Sequence, residues 1–545
     1  MKRTITAPRA GFAAFATIAA LLFSPAYAVA ADSSAILKTL RWSSEGDIAT
    51  HDPHAQNESF TNQFNGQIYE QLLSRDKHMK LVPTLATAWK QTSPTVWLFT
   101  LRKDVKWHDG SSFTADDVVF SIIRAQAKTS NMRTFANALG KPRKIDDYTM
   151  ELVTPRPNPV MLEMLGSGNI FIMSKAWSQK NKVEKPQDFE QKEETFAVRH
   201  AMGTGPFTLV SREPDVKTVL KKNPNWWGLK AGRFEGNVDE VVFRPIASDG
   251  TRIAALLSGE IDFVLDLPLQ DMQKIKQSGA LKVWEGRENR IIFIGLDQAR
   301  SELLYADVKG KNPFKDKRVR LALYQATDIE AIRKSVMRGL SIPTAILLPA
   351  AHAAGVPEAM DQRYPFDPLK AKALLTEAGY ANGFTVTLDC PNDRYLNDEK
   401  ICIALAGMWA RIGVNVKVAA IPKANYFPKL RKLDTSLYMF GWGGSTTDAI
   451  FTLEPVLHSR NGRGDGDYNF GNYKNASLDE LIDKAEGETD TIKRRQLIIK
   501  AMQIQHDEVL HIPLHLQMIP WASKAGVTVT HRPDNWLELA WVKMQ

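Results

Sequence analysis

From residue 251 to the C-terminus the chain alternates between a helical and an extended hydrophobic period, and that alternation restricts its fold more than any other feature. Residues 251–257 carry a helical pattern that Gly259 ends, and 261–265 form a short apolar run suited to a buried strand. Asp328 then caps a helix closed by Gly339. Asp367 and Pro368 supply a cap and a proline in the first helical position, ahead of Leu374, Leu375 and Ala378, and Gly379 stops that helix. The spacing predicts a strand over 384–388, a helix over 401–412 and a strand over 414–419. Ser477 with Glu480 predicts a capping box, and 493–509 a long helix. Strands and helices taken in turn cover both faces of a sheet, so an α/β architecture follows.

Earlier segments add extended signals. Residues 39–42, 148–153 and 207–210 read as strands, and 96–101 alternate at period two. A helical pattern runs over 63–73 through Phe64, Ile68, Leu72 and Leu73, while Thr114 with Asp117 opens a second helix. Residues 180–194 are charged and poor in apolar side chains, which predicts an exposed excursion.

At 545 residues the chain exceeds the ~100–200 residues of one domain, so two or three units are expected. Its beginning has the three parts of a secretory signal: Lys2, Arg3 and Arg9, an apolar run over 10–23, and small residues around Ala28 and Ala30. Cleavage after Ala28 or Ala30 then leaves a free periplasmic protein, without a lipid anchor because no Cys is near. No later segment approaches the about 18 consecutive apolar residues of a membrane span. The net charge of +9 is dispersed, which points to a solvated surface and no nucleic-acid partner. Cys390 and Cys402 either pair across a short loop or remain two buried thiols.

The motifs of common hydrolases and metal centres are absent: no His-Glu-x-x-His, no Gly-x-Ser-x-Gly and no zinc-spaced cysteines. His511 and His515 flank Pro513, and in an extended segment their rings stand about 13 Å apart at ~3.3 Å per residue, too far to share a metal. His51 and His54 lack a supporting carboxylate or thiol. No catalytic residue, metal or cofactor is therefore expected, and the chain is not read as an enzyme.

Residues 439–448 stand out instead. Met439-Phe440-Gly441-Trp442-Gly443-Gly444-Ser445-Thr446-Thr447-Asp448 puts an aromatic wall beside glycines that let other atoms approach the backbone. Two readings stand: a strand ending in a tight turn around a core Trp, or the floor of a ligand cleft.

One set of motifs resembles a known family. Tyr69-Glu70-Gln71-Leu72-Leu73, Pro83-Thr84-Leu85-Ala86, Phe99-Thr100-Leu101-Arg102, Val105-Lys106-Trp107-His108-Asp109-Gly110 and Phe113-Thr114-Ala115-Asp116-Asp117-Val118 are similar to the signature region of the dipeptide/oligopeptide/nickel (family 5) periplasmic solute-binding proteins. Gly203-Thr204-Gly205-Pro206-Phe207, Asn223-Pro224-Asn225-Trp226-Trp227 and Arg318-Val319-Arg320-Leu321-Ala322-Leu323 continue the resemblance in family order.

The resemblance implies a two-lobed type II, cluster C binding-protein fold. It would comprise a signal peptide over 1–30, lobe I over 31–68, 195–296 and a return over 513–545, an extra subdomain over 69–194, and lobe II over 297–512. It implies a monomer that captures a small peptide between its lobes and hands it to an inner-membrane ABC permease. A non-peptide solute such as a carboxylated conjugate or small organic acid is the alternative. Less favoured are a secreted hydrolase and a periplasmic chaperone or sensor. In peptide binders of the family an Asp follows the Gly-Trp segment and holds the ligand ammonium; here that position is Ser445, with Asp448 nearby. A neutral hydroxyl is a poor partner for a buried cation. Arg394, beside Tyr395, matches a region where dipeptide binders clamp a carboxylate, and a surface Arg in a turn is its other reading. Asn57, Glu58 and Phe60 correspond to the lobe I contacts, and Trp442, Gly443, Ser445 and Asp448 to those of lobe II.

Overall fold

The computed structural model describes residues 37–349, 355–443 and 446–545; the expected signal peptide and Ser445 lie outside the described residues. Two long strands organise it. Leu281–Leu296 and His511–Lys524 pair antiparallel, from Leu281 opposite Lys524 to Gly295 opposite His511. Ile291 to Leu296 are all buried, as expected of a strand covered on both faces. The register shifts between Arg287 and Ile291 and again between Ile292 and Phe293. A ladder that slips in this way bends, and the sheet changes neighbours there.

Among the described residues these strands belong to one eleven-stranded sheet. On one side of the bend follow Phe263–Val264, Thr39–Ser43, Glu240–Phe243, Lys217–Lys222 and Phe207–Glu213; this half is lobe I. On the other side Leu437–Gly443 pairs with residues 290–296, followed by Phe384–Pro391 and Val414–Ile421; this half is lobe II. A separate four-stranded antiparallel sheet has the order Ala86–Ser93, Val96–Leu101, Thr149–Val153, Lys141–Asp146.

Most local signals are realised. Asp367 caps Pro368–Glu377 by accepting from the Lys370 N–H, and Asp328 caps Ile329–Ala331 through the Ala331 N–H. Two differ. The helix expected over 63–73 is instead Ser59–Asn65, because Glu58 accepts from the Phe60 and Thr61 N–H groups and starts it earlier. Leu73 leaves it for a hairpin strand, Leu73–Arg75, paired with Leu81–Pro83. Asn475, not Ser477, caps Ala476–Gly487, since its extended backbone aims the side chain at the Leu478 N–H.

Among the described residues three buried clusters hold the chain. One fills lobe I around Trp42, Phe64, Phe243 and Trp521, and another fills lobe II around Trp409, Leu388 and Met439. The third runs from Phe99, Ile122 and Phe135 near the separate sheet through to Phe440, Trp442 and Phe451 of lobe II. Phe135 stacks on Phe451 at 5.7 Å between centroids. Because this cluster crosses the cleft, the lobes are closed.

Candidate ligand-binding site

A cavity of about 70 Å³ lies where the lobes meet. Lobe I contributes Asn57, Glu58, Ser59 and Asn62, all at the start of the helix Ser59–Asn65. Asn57 Oδ1 accepts from Asn62 Nδ2 at 3.1 Å and from Asn169 Nδ2 at 2.8 Å, which ties this edge to residue 169.

Facing it is the strand Leu437–Gly443. Its glycines are required by close approach: a Cβ on Gly441 would stand 2.6 Å from the Tyr395 ring, and one on Gly443 1.9 Å from the Asn289 carbonyl. Trp442 walls the cavity with its indole N–H donated to the Phe451 carbonyl at 2.7 Å, and it packs on Phe440 and Tyr468. The aromatic-and-glycine stretch thus is both strand end and cleft wall.

Two guanidinium groups converge on this wall. Arg394 is carried on the loop between Phe384–Pro391 and Asp398–Ala410, a loop closed at its ends by the Cys390–Cys402 disulfide. Within it, Asp398 accepts from the Arg394 and Tyr395 N–H groups at 3.1 and 3.0 Å. Arg394 Nε stands 2.9 Å from Glu58 Oε1 across the cleft, bent away from hydrogen-bond alignment. Its two terminal nitrogens have no hydrogen-bond partner among the described residues, and the side chain lines the cavity. Arg290, at the bend of the long strand, donates to Glu288 and to Ser59 Oγ, both at 2.7 Å. The Arg394 and Arg290 guanidiniums lie 4.8 and 5.9 Å from the Tyr395 ring centroid. Tyr395 itself donates to the Gly441 carbonyl at 3.3 Å.

The carboxylates lining the cavity are already matched. Burial alone would raise the Glu58 pKa, but Arg394, Lys423 and the Thr61 and Phe60 N–H groups bring it down to about 2. Asp448 holds Arg494 in a bidentate pair, at 2.7 and 2.8 Å, and accepts from the Ile450 N–H at 2.9 Å.

The structure therefore brings Asn57, Glu58, Arg394, Tyr395, Trp442, Gly443 and Asp448 around one cavity. Phe60 stands aside: it packs on Trp42 and Phe243 in the lobe I core and lines a smaller neighbouring cavity with Lys423. Sequence reasoning missed Arg290, Asn169 and Trp536, which also line the site. Arg290 had a signal, a charge directly before the apolar run over 291–294. Asn169 and Trp536 had none, being brought in from distant segments. Among the described residues no cluster of His, Cys, Asp or Glu has metal-site geometry, and no helix is long and apolar enough to cross a membrane.

Comparison with known proteins agrees with this architecture. The model of bacterial extracellular solute-binding proteins, family 5, matches residues 80–464. The heme-binding protein A of Haemophilus influenzae is 28% identical over 476 residues, 82% of this chain and 81% of that protein. The dipeptide-binding protein of Escherichia coli is 26% identical over 500 residues, 86% of this chain and 88% of its own. Among solved structures, the periplasmic binding protein DppA of Helicobacter pylori in complex with the peptide STSA superposes with a TM-score of 0.80 at 23% identity, covering 93% of this chain and 98% of that one. Two lobes around a cleft cavity, with a family match over most of the sequence, leave one assignment: the chain belongs to the family 5 bacterial extracellular solute-binding proteins, the substrate-binding components of ABC importers for peptides and related solutes.

Proposed function

We propose that this importer component captures a small carboxylated solute, of short-peptide size or below, that presents no free ammonium beside Trp442. One observation carries the reading. Arg394 lines the cavity with two terminal nitrogens that have no hydrogen-bond partner among the described residues, while both lining carboxylates, Glu58 and Asp448, are already neutralised by protein cations. A ligand carboxylate matches a planar guanidinium fork, whereas a desolvated ammonium finds no unspent anion there. Arg290, paired with Glu288 and bonded to Ser59, buttresses the site at the bend.

Ligand-driven closure needs a ligand that touches both lobes and so prefers the closed state. Arg394 and Trp442 from lobe II and Asn57 and Ser59 from lobe I supply those contacts. The lobes correspond to 31–68, 195–296 and 513–545 on one side and 297–512 on the other, with 69–194 as the extra subdomain and the crossing at the bend. Export by a cleaved signal over 1–30 brings the protein to the periplasm, where it acts as a monomer on an inner-membrane permease. An ordinary free-amine peptide is the second reading, favoured by the peptide-binding relative in Escherichia coli.

A thermal-shift screen separates the two. N-acetylated dipeptides and small carboxylates should stabilise the protein, with ~2.7 kcal/mol expected at a hundred times Kd. Nanomolar binding of several free-amine peptides would defeat the proposal.

A further inference from the structure

A second cavity of about 360 Å³ lies between lobe I and the segment 69–171, behind the ligand site, and Trp536 lines both. No other side chain lines the two, among the described residues. The indole is slotted between two glycines: a Cβ on Gly168 would stand 2.6 Å from the ring and one on Gly66 3.0 Å. Gly168 has φ +82, a conformation that suits glycine. The ring therefore fills the gap that either residue, if larger, would close. The Trp536 indole N–H donates to no protein acceptor among the described residues, so no hydrogen bond ties the ring to the wall. Asn535, directly before it, has φ +61, so a turn sets the ring's direction.

Behind the ring the chamber is walled by Tyr69, Trp226 and Trp541. Three of its charges are paired within the protein, Arg75 with Glu163, Lys77 with Glu235, and Glu538 with Arg532, while Arg233 lies over the Trp227 ring at 4.8 Å and donates to the Pro83 carbonyl, and Asp76 accepts from the His78 and Lys80 N–H groups. The Glu70 carboxylate is occupied by the Trp226 and Trp227 indole N–H groups, at 3.0 to 3.1 Å. A chamber with aromatic walls, whose charges are each engaged by an ion pair, an aromatic face or backbone groups, suits an uncharged, apolar or aromatic group.

We propose that Trp536 is a specificity-determining partition: it limits ligand length, and the chamber behind it is a rear subsite for the uncharged distal part of a longer ligand whose carboxylate sits on Arg394. The orientation of that ligand rests on the carboxylate reading above; the partition itself does not depend on whether the amine is free or blocked.

The test uses two ladders of alanine peptides, from dipeptide to hexapeptide, one N-acetylated and one with free amines, offered as mixtures to the full chain and read by native mass spectrometry. Wild type should keep only the shorter members. Trp536→Ala should lengthen the longest peptide retained by one to two residues, and Trp536→Phe should fall between. Adding Val82→Trp, which puts a bulky side chain on the chamber's lining, to Trp536→Ala should restore the short limit, a reversal that general loosening of the fold would not produce. Circular dichroism of each variant checks folding. Identical length profiles for wild type and Trp536→Ala overturn the partition, as does failure of Val82→Trp to shorten the profile. Preference for the free-amine ladder in both proteins overturns the blocked-amine reading instead, and the length shift within that ladder then decides the partition. Retention of no peptide by any variant overturns both.

Discussion

Arg394 and Glu58 meet across the cleft, and each controls the other's cost of burial. An ionised carboxylate taken out of water is stable only when cations and N–H groups surround it, as Arg394, Lys423 and two helix N–H groups do here. With its pKa lowered from 4.5 to about 2, Glu58 contributes stability that is present above pH 4.5 and lost as pH falls toward 2. The difference corresponds to roughly 3 kcal/mol at these buried positions. Chemical denaturation across that range should show this acid limb, and Glu58→Gln should flatten it; an unchanged slope would remove Glu58 from the account. For Arg394→Ala the expected outcome is a loss of about 3 kcal/mol in ligand affinity, roughly a hundredfold in Kd, together with a lowered apo melting temperature, because buried Glu58 loses its nearest cation. Isothermal titration with the best small carboxylate from the screen measures it.

At the scale of elements, the loop between Phe384–Pro391 and Asp398–Ala410 is a short cassette that aims two binding side chains. The disulfide spans a separation of 12 residues. Closing a loop of that length restricts the unfolded chain by about 3 kcal/mol. Cys390→Ser with Cys402→Ser should therefore lower global stability by about that amount and also weaken ligand binding, since Arg394 lies inside the loop. Denaturant midpoints and titrations on the same samples test both; full affinity at reduced stability would show that Asp398 alone suffices to hold the loop. The long strands are the other decisive element, because their register shift at 287–291 is where the two halves of the sheet diverge.

For the molecule as a whole, closure is also secured beside the ligand cavity. The helix Arg133–Ala138 reaches lobe II: Arg133 forms a bidentate contact with Asp467 at 2.8 and 3.0 Å, Thr134 donates to the Gly464 carbonyl at 2.5 Å and Asn137 to that of Arg463. Tyr468 donates to the Asn131 carbonyl at 3.0 Å. These groups are largely buried, so Arg133→Ala should cost the closed form about 2 kcal/mol, on the order of thirtyfold in the closed-to-open ratio. Small-angle scattering of the ligand-bound protein should then report a larger radius of gyration. Arg133→Asp combined with Asp467→Arg should recover part of the loss, and no change in either variant would show that the contact is idle.

The sequence by itself determined the α/β class, the caps at Asp328 and Asp367, the strand ending in Trp442 and the family likeness, because caps and hydrophobic periods are short-range and each is complete within a few residues. It also placed Arg394 and Tyr395 as candidates, through one contiguous motif. Tertiary structure alone decided which charges remain available. Asp448 reads in sequence as a free carboxylate, and only folding brings Arg494 onto it. Glu58 reads as a ligand contact, yet the fold sets it to cap a helix and face Arg394. Arg290, Asn169 and Trp536 come from separate parts of the chain and carry no mutual spacing, so only packing joins them into one wall. A binding site is a sum of long-range contacts and desolvation, neither of which is written in local pattern.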